Sequence, residues 1–264
     1  KLDSKYFAFA SNTKALIGRN DNKINHESLH YQFTLHSVVP APNTILENIY
    51  KLEPGHSVTV ASNGKVLKNK YYALDDIEIN YNIKENEIIE ESERLLMNAI
   101  EKRFYTADVD VGVLLSGGLD SSLIVAMAAK SKLSKINTFS IGFPTINDEV
   151  GDEFYYSDMV SKQFNTNHYK YNINQDQLIE SLDDVIKEMP EPMFSQDSSA
   201  FYLLAKEVSK NQKVVLSGQG ADELFGGYFW YEKMNDTKGS DSERFTKHYF
   251  DRDHKDYSKT IKAK

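Results

Sequence analysis

The sequence predicts an α/β fold, a mostly parallel Rossmann-like sheet from residue 109 onward, preceded by a β-rich segment. Short apolar, β-prone runs alternate there with helical patterns of about ten to fifteen residues, which is typical of crossover units in a parallel sheet. Two of the predicted strands end in glycine-rich turns, SGGLDSS at 116–122 and SGQGADELFGG at 217–227. Ligands of such sheets bind beyond the carboxyl ends of the strands, so the two turns are the candidate site.

The alternation can be followed along the chain. The predicted strands span 109–115, 135–143, 168–173 and 213–217. The predicted helices span 119–131, 153–164, 175–188 and 198–210, and a last one begins near Asp222. Ahead of the first strand, apolar side chains recur at helical spacing within 84–105 and predict a helix with one apolar stripe.

Residues 1–73 indicate β-rich material with turns. KYFAFAS alternates like a strand, and 54–72 predict a hairpin joined around Asn63-Gly64, a strong two-residue turn signal. NHESLHYQFTL predicts a short helix between them. The acidic residues 74–83 are expected to form a linker. The polar tail 235–264 is expected to be exposed and partly disordered, or to pack on chain that the sequence does not include.

Composition excludes several classes of protein. The 264 residues carry 31 Lys and Arg against 39 Asp and Glu, so no basic surface for nucleic acid is expected. No apolar run approaches the ~18–20 residues of a membrane span, and no secretion signal is visible, so we expect a cytoplasmic protein. Cysteine is absent, which removes disulfides, thiolate metal sites and cysteine nucleophiles. Because the chain begins without methionine, we expect it to be a fragment of a longer protein.

The first turn has the composition of a phosphate site. Gly117 and Gly118 allow backbone conformations that a side chain forbids and let amides approach a ligand closely. The first N–H groups of the following helix have no internal partner and carry a partial positive charge, so the turn suits an anion. Hydroxyl donors are added by Ser116, Ser121 and Ser122.

Asp120 predicts a metal ion beside that phosphate. An acid next to an anion repels it unless a cation intervenes, and Mg²⁺ bridging carboxylate and phosphate oxygens would serve. The alternative is structural: Asp120 or Ser121 caps the helix, and the glycines only make the turn. No lysine follows the glycines, so the turn is not the nucleoside-triphosphatase loop, and it is not the Gly-x-Gly-x-x-Gly dinucleotide turn either.

The two turns resemble those of one enzyme family. LLSGGLDSS (114–122) resembles the pyrophosphate loop of the ATP pyrophosphatases, which split ATP into AMP and pyrophosphate. These include NAD, GMP, argininosuccinate and asparagine synthetases and several tRNA-modifying enzymes. LSGQGADELFGGY (216–228) resembles the second signature of the asparagine synthetase type, which the other branches lack.

The resemblance implies a role for each site residue. Backbone groups at Leu115 and Ile141 would hold adenine and ribose, and Ser217 and Gly218 would approach the α-phosphate and ribose. The implied nucleotide-binding set is Leu115, Ser116, Gly117, Gly118, Asp120, Ser121, Ser122, Ile141, Gly142, Ser217 and Gly218. The implied metal ligands are Asp120 and Asp222, and the implied catalytic residues are Gln219, Asp120 and Asp222. For Asp222-Glu223 the alternative is helix-start electrostatics alone.

The amino-terminal part resembles the same family. YFAFASNTKALI (6–17) and the 52–72 stretch resemble the last third of its class II, Ntn-type glutaminase domain, which uses an amino-terminal cysteine to free ammonia from glutamine. The resemblance implies a partial glutaminase domain at 1–73, a linker and helix at 74–106 and a truncated synthetase domain at 107–264. Lacking that cysteine, the chain is not expected to hydrolyse glutamine.

Two departures bear on the acceptor. The family usually has glutamate where this chain has Gln219, and glutamine cannot take up a proton. Where the family has an arginine, this chain has EPMFSQDSSAFYLL, and Gln196 and Asp197 cannot fork onto a carboxylate. GDEFYYSDMV, GGYFWYEKM and YFDRDHKDYS resemble the N-acetylglutaminylglutamine amidotransferase branch. The acceptor is therefore expected to be aspartate or that blocked dipeptide.

The reaction that the resemblance implies is an ATP-dependent amidation. An acceptor carboxylate attacks the α-phosphorus of Mg²⁺-ATP, and ammonia from glutamine then displaces AMP. The expected partners are ATP, ammonia, a small carboxylate and, in the full-length protein, a second copy of the chain, with no nucleic acid and no membrane. Two alternatives stay open: another adenylating ATP pyrophosphatase, such as a tRNA modifier, and a nucleotide-binding regulatory module whose catalysis has lapsed.

Overall fold

A computed structural model describes residues 7–18, 23–131, 135–144, 154–193, 195, 197–250 and 252–260. It divides into two compact units. The first unit comprises Lys1–Asn80, Glu188–Phe194 and Phe229–Lys264, and the second comprises Tyr81–Lys187 and Ser195–Tyr228.

The elements of the described residues run as follows. The strands are β1 His56–Val60, β2 Val66–Lys70, β3 Val111–Leu114, β4 Asn137–Gly142, β5 Asn167–Asn172 and β6 Val214–Leu216. The helices are α1 His26–Thr34, α2 Glu85–Tyr105, α3 Leu119–Lys130, α4 Phe154–Phe164, α5 Gln175–Glu188, α6 Asp197–Val208, α7 Ala221–Phe225, α8 Phe229–Asp236, α9 Asp241–Tyr249 and α10 His254–Thr260. None of these helices is long and apolar enough to cross a membrane.

The hairpin of the first unit is confirmed, but its turn differs from the prediction. Strands β1 and β2 pair antiparallel from His56 with Lys70 to Val60 with Val66. The N–H of Ala61 donates to the Lys65 carbonyl at 2.9 Å, and Gly64 has φ +80°. The loop therefore has three residues, with Gly64 in the left-handed position, instead of two centred on Asn63-Gly64.

Among its described residues, the rest of the first unit has less β-structure than the sequence indicates. The predicted helix after Asn25 is present as α1, and the Asn25 side chain caps it by accepting from the Ser28 N–H at 3.0 Å. Most of KYFAFAS is not in a strand; its first two residues lie outside the described part of the chain. The tail, expected to be partly disordered, is helical over α9 and α10, and Tyr257 is buried with its ring 4.4 Å from that of His30.

A four-stranded parallel sheet forms the second unit, in the order β5-β4-β3-β6. Both faces are covered, as expected of a parallel sheet. One face packs α2 and α3 in a cluster of Ile100, Val113, Leu115, Val125, Met127, Ala128 and Ile136. The other packs α6 in a cluster of Phe139, Leu204 and Val208. The predicted α/β fold with a parallel sheet is confirmed.

Candidate active site

The first turn leaves the sheet where β3 ends and leads into α3. Gly117 has φ +92°, and a Cβ there would lie 2.6 Å from the backbone nitrogen of Ser157 and 2.6 Å from Cβ of Tyr156. Both facts require glycine, because a side chain would be strained and would strike α4. Gly118 is the N-cap residue of α3.

Serine hydroxyls, not Asp120, complete this turn. Ser116 Oγ accepts from the Gly118 N–H at 3.2 Å and lies 3.0 Å from Ser121 Oγ. Ser121 Oγ donates to the Gly118 carbonyl at 3.2 Å. Within the described residues the Asp120 carboxylate forms no hydrogen bond or ion pair, so it does not act as the cap of α3.

The second turn leaves the sheet where β6 ends and leads into α7. Gly220, at φ +96°, precedes the helix, and Gly226, at φ +68°, follows it. A Cβ on Gly227 would lie 2.1 Å from Oδ1 of Asp222, so that carboxylate rests directly on Gly227. The N–H of Gln219 donates to Ser217 Oγ at 3.2 Å and closes the start of the turn.

The two turns meet at Gly218. A Cβ on Gly218 would lie 2.9 Å from Cβ of Asp120 and 3.1 Å from the backbone nitrogen of Ser121. The contact follows from the sheet, because β3 and β6 are parallel neighbours with Val113 beside Leu216, and both turns leave the same edge.

A cavity of about 670 Å³ opens at that edge. Its lining brings together most of the predicted site: Leu115, Ser116, Gly118, Asp120, Ser121, Ile141, Ser217, Gly218, Gln219 and Asp222. In the described part of the chain, the lining contains two carboxylates and no Lys, Arg or His. The cavity is therefore negatively charged, and a phosphate group there needs a cation that the lining does not supply.

Three residues of the predicted nucleotide-binding set, Gly117, Ser122 and Gly142, do not line the cavity. The Ser122 hydroxyl is buried and has no hydrogen-bond partner among the described residues. Gln196 lies outside the described residues. Asp197 begins α6, accepts a hydrogen bond from Ser195 Oγ at 2.8 Å and does not line the cavity.

The backbone N–H and C=O of Leu115 are both hydrogen-bonded to β4, whereas those of Ile141 face the cavity. The Leu115 N–H donates to the Phe139 carbonyl at 2.8 Å, and its carbonyl accepts from the Ser140 hydroxyl. On β4 the Phe139 carbonyl thus points toward β3, while the Gly142 carbonyl accepts from Ile173 beside β5. Successive residues of a strand direct their backbone N–H and C=O groups to opposite sides. The backbone groups of Ile141 therefore point to the same side as those of Phe139, toward β3. They lie beyond Leu114, the last residue of β3 that pairs with β4, and so face the cavity.

The sequence interpretation missed an aromatic wall. This wall consists of Phe143, Phe201 and Tyr228, which line the cavity beside Leu204. The side chain of Phe201 is 46% exposed. The Tyr228 hydroxyl donates to Glu223 at 2.9 Å. Tyr228 closes the second signature, which was a signal for it. Phe201 is one apolar residue of a helix, and nothing in the sequence separates it from core residues of α6.

Comparison with known proteins identifies the family. The family model described as asparagine synthase matches residues 91–262, and one described as glutamine amidotransferase domain matches residues 1–72. This chain belongs to the asparagine synthase family. The first match contains both glycine turns and the whole sheet of the second unit.

Curated asparagine synthetases resemble the chain over most of its length. A putative glutamine-hydrolysing asparagine synthetase 2 of Methanocaldococcus jannaschii is 34% identical over 86% of this chain and 44% of its own. Glutamine-hydrolysing asparagine synthetase 1 of Bacillus subtilis is 30% identical over 85% of this chain and 34% of its own. The chain thus spans less than half of either relative.

Among solved structures, an NH3-dependent NAD synthetase from Campylobacter jejuni in complex with nitrate matches at a TM-score of 0.36. It is 18% identical over 53% of this chain and 60% of that one.

Proposed function

We propose that the cavity binds ATP with Mg²⁺ and that the protein uses it to convert an acceptor carboxylate into an amide. The acceptor carboxylate oxygen attacks the α-phosphorus, and pyrophosphate leaves. Ammonia then attacks the acyl carbon, loses a proton and displaces AMP. The observation that carries the proposal is the contact of Gly218 with Asp120, because it joins two glycine turns and two carboxylates at one cavity.

The residues of the cavity suit the parts of the nucleotide. Ser116, Gly118 and Ser121 line the cavity at the start of α3, where the first backbone N–H groups of the helix would stabilise a pyrophosphate group. The outward-facing backbone of Ile141 and the ring of Phe201 suit adenine. Ser217 and Gly218 lie between these parts, where we place the α-phosphate and ribose.

The donor set suits Mg²⁺. This ion prefers oxygen ligands and binds through one or two carboxylates plus substrate phosphates. Asp120 and Asp222 line the cavity, and neither carboxylate forms a hydrogen bond or an ion pair with another described residue. When bound, the ion would neutralise charge on the leaving pyrophosphate, while the two turns position the anion.

We propose N-acetylglutaminylglutamine or a similar blocked dipeptide as acceptor in preference to aspartate. Aspartate has a second carboxylate and an amino group to be recognised, and the described lining has no basic residue to fork onto a carboxylate. Gln219, at the rim of the second turn, offers amide hydrogen bonds and no charge. Both features favour a neutral, amide-rich acceptor.

The match at residues 1–72 supports glutamine as the source of ammonia. We propose a partial glutaminase domain at 1–73, a linker and helix at 74–106 and a synthetase domain at 107–264. Because the chain has no cysteine, ammonium salts should support its reaction and glutamine should not. Glutamine hydrolysis by the chain alone would contradict this assignment.

Pyrophosphate release tests the proposal. The protein is incubated with Mg²⁺-ATP, ammonium chloride and either aspartate or N-acetylglutaminylglutamine, and products are identified by mass spectrometry. We expect release of pyrophosphate and AMP together with the dipeptide amide. Asp120→Asn and Asp222→Asn should abolish it, while Asp183→Asn, an exposed carboxylate of α5, should not.

Other outcomes identify the alternatives. Asparagine as the product, with the dipeptide unchanged, would overturn the acceptor. Tight Mg²⁺-ATP binding without pyrophosphate release for any acid would indicate a regulatory nucleotide-binding module. Release that persists in both Asp variants would overturn the site itself.

A further inference from the structure

A polar network lies beneath the first turn, inside the second unit, and its centre is His168 of β5. The side chain of His168 is 8% exposed. Its Nδ1 lies 2.9 Å from Thr138 Oγ1, and its Nε2 lies 3.2 Å from Ser157 Oγ and 3.4 Å from Ser140 Oγ. His168 therefore joins β4, β5 and α4 through one ring.

The serine hydroxyls beside His168 favour a proton on its Nε2 over one on its Nδ1. Ser140 donates its hydrogen to the Leu115 carbonyl, and Ser157 donates its own to the Phe154 carbonyl at 3.3 Å. Neither hydroxyl has a second hydrogen, so each can only accept from His168. Thr138 Oγ1 lies 2.9 Å from Nδ1 and also 2.8 Å from Thr166 Oγ1, and Thr166 donates its own hydrogen to Ser161 Oγ. In the neutral ring a proton on Nε2 meets two acceptors, whereas a proton on Nδ1 meets only one, so we assign the proton to Nε2.

Both acceptors of that N–H support the first turn. Ser140 holds the carbonyl of Leu115, the residue that precedes Ser116. Ser157 belongs to α4, and its backbone nitrogen lies 2.6 Å from the position that a Cβ on Gly117 would take. The turn is thus fixed from β4 on one side and from α4 on the other, and His168 connects the two.

We propose that His168 is a positioning residue for the nucleotide site, which through Nε2–H to Ser140 and Ser157 keeps the first turn in the shape that receives phosphate. It does not line the cavity. The charged groups that face the ring are Asp158 of α4, 3.8 Å from Nε2, and Lys170 of β5, which pairs with Asp158 at 2.8 Å. A separation of 3.8 Å is too long for a hydrogen bond, so the serine oxygens, and not Asp158, accept the hydrogen bond from Nε2–H.

Two variants separate the N–H donor from the bulk of the ring. His168→Gln keeps an N–H donor at a similar reach, and His168→Leu keeps volume without a donor. His26→Gln, at an exposed position of α1, is the control for loss of an imidazole elsewhere. The first measurement is hydrogen exchange, read by mass spectrometry on a peptide covering Leu115–Asp120, and it needs no nucleotide.

We expect His168→Leu to speed exchange in that peptide and to weaken Mg²⁺-ATP binding, measured by calorimetry, by about three- to tenfold, the range for one lost hydrogen bond. His168→Gln and His26→Gln should behave as the unmodified protein. Equal exchange and affinity in all variants would overturn the proposal. So would equal losses in His168→Gln and His168→Leu, since the ring's packing would then be responsible.

The binding test rests on the proposed function, and the exchange test does not. If the unmodified protein fails to bind Mg²⁺-ATP, the proposed function fails, while the exchange result still decides the role of His168. Should His168→Leu not fold, nitrogen-15 NMR of the unmodified protein decides instead. The neutral ring must show its proton on Nε2, and a proton on Nδ1 would overturn the proposal.

Discussion

Gly218 lies against Asp120 so closely that a Cβ on the glycine would be 2.9 Å from the Cβ of the aspartate. This separation is shorter than side chains tolerate. The turn after β6 can therefore occupy its place beside the turn after β3 only because residue 218 has no side chain. Two segments far apart in sequence are joined there into one cavity.

Gly218→Ala should weaken Mg²⁺-ATP binding and lower the free energy of unfolding by about 1–3 kcal/mol, the usual cost of an overpacked contact. Asp120 must move to admit the methyl group, and its carboxylate leaves the cavity. Calorimetry and denaturant unfolding measure the two effects.

Gly64→Ala is the control for that variant. Gly64 has φ +80° with open space around it, so alanine there is strained without striking a neighbour. It should cost stability by roughly 1–2 kcal/mol and leave ATP binding unchanged. If Gly64→Ala weakens binding as much as Gly218→Ala, general destabilisation explains both, and the contact with Asp120 does not matter.

Removal of divalent cations should weaken ATP binding by more than about tenfold, because the lining formed by the described residues has two carboxylates and no basic side chain to pair with the triphosphate. Calorimetric titrations in Mg²⁺ and in EDTA give the ratio of affinities. In Asp120→Asn and Asp222→Asn that ratio should shrink, since each removes a carboxylate that repels the bare nucleotide and one that would bind the ion. An affinity for ATP that EDTA leaves unchanged contradicts the proposed metal site.

Phe201→Ala should weaken the binding of Mg²⁺-ATP and of adenosine by roughly tenfold, because an exposed aromatic face of the cavity is lost. Binding of Mg²⁺-pyrophosphate should stay the same. Tyr202→Ala is the matched control, since it removes the next ring of the same helix, which does not line the cavity. Equal loss for adenosine and pyrophosphate would place Phe201 outside the base subsite.

Stability should fall as the pH drops below about 6.5, and His168 should account for part of the fall. Burial is the main cause that holds the pKa of the His168 imidazole below its ordinary 6.5; Lys170 lowers it further, while Asp158 opposes both. A histidine with a lowered folded-state pKa binds fewer protons folded than unfolded. Its contribution is therefore complete above the unfolded pKa and is lost as the pH falls through the folded one.

His168→Gln removes this titration and should reduce the dependence of the free energy of unfolding on pH over that range. Urea titrations at several pH values measure this dependence. His26→Gln is again the control. A slope that is unchanged in His168→Gln would show that other groups account for it.

The strands and helices of the second unit could be predicted from the sequence because the apolar residues that they bury are neighbours in the chain. VGVL is apolar at every position where β3 meets helices on both faces, and Gly117 and Gly220 indicate the turns. The loop of the hairpin could not be predicted in the same way, because Asn63-Gly64 fits either a two-residue or a three-residue loop. The pairing of Ala61 with Lys65 selects the three-residue loop. The helices of the polar tail could not be predicted either, because contacts such as that of Tyr257 with His30 join segments that are distant in sequence.

The site shows the same division. Asp120 and Asp222 were predictable because glycine turns and acids are chemical signals carried by neighbouring residues. Phe201 was not, since the side of α6 that faces the cavity depends on how the helix packs on β4. His168 is part of HYKYNI, where it alternates like any strand residue. Its burial under the first turn depends on α4 covering β5.

The close packing around Gly117 and Gly218 also determines where this protein can be redesigned. Neither position accepts even a methyl group without displacing the other turn or α4, so the phosphate end of the cavity leaves an engineer almost no choice of sequence. The wall formed by Phe143, Phe201 and Tyr228 has no such constraint. Libraries that aim at a different base or a bulkier acid should be built on that wall.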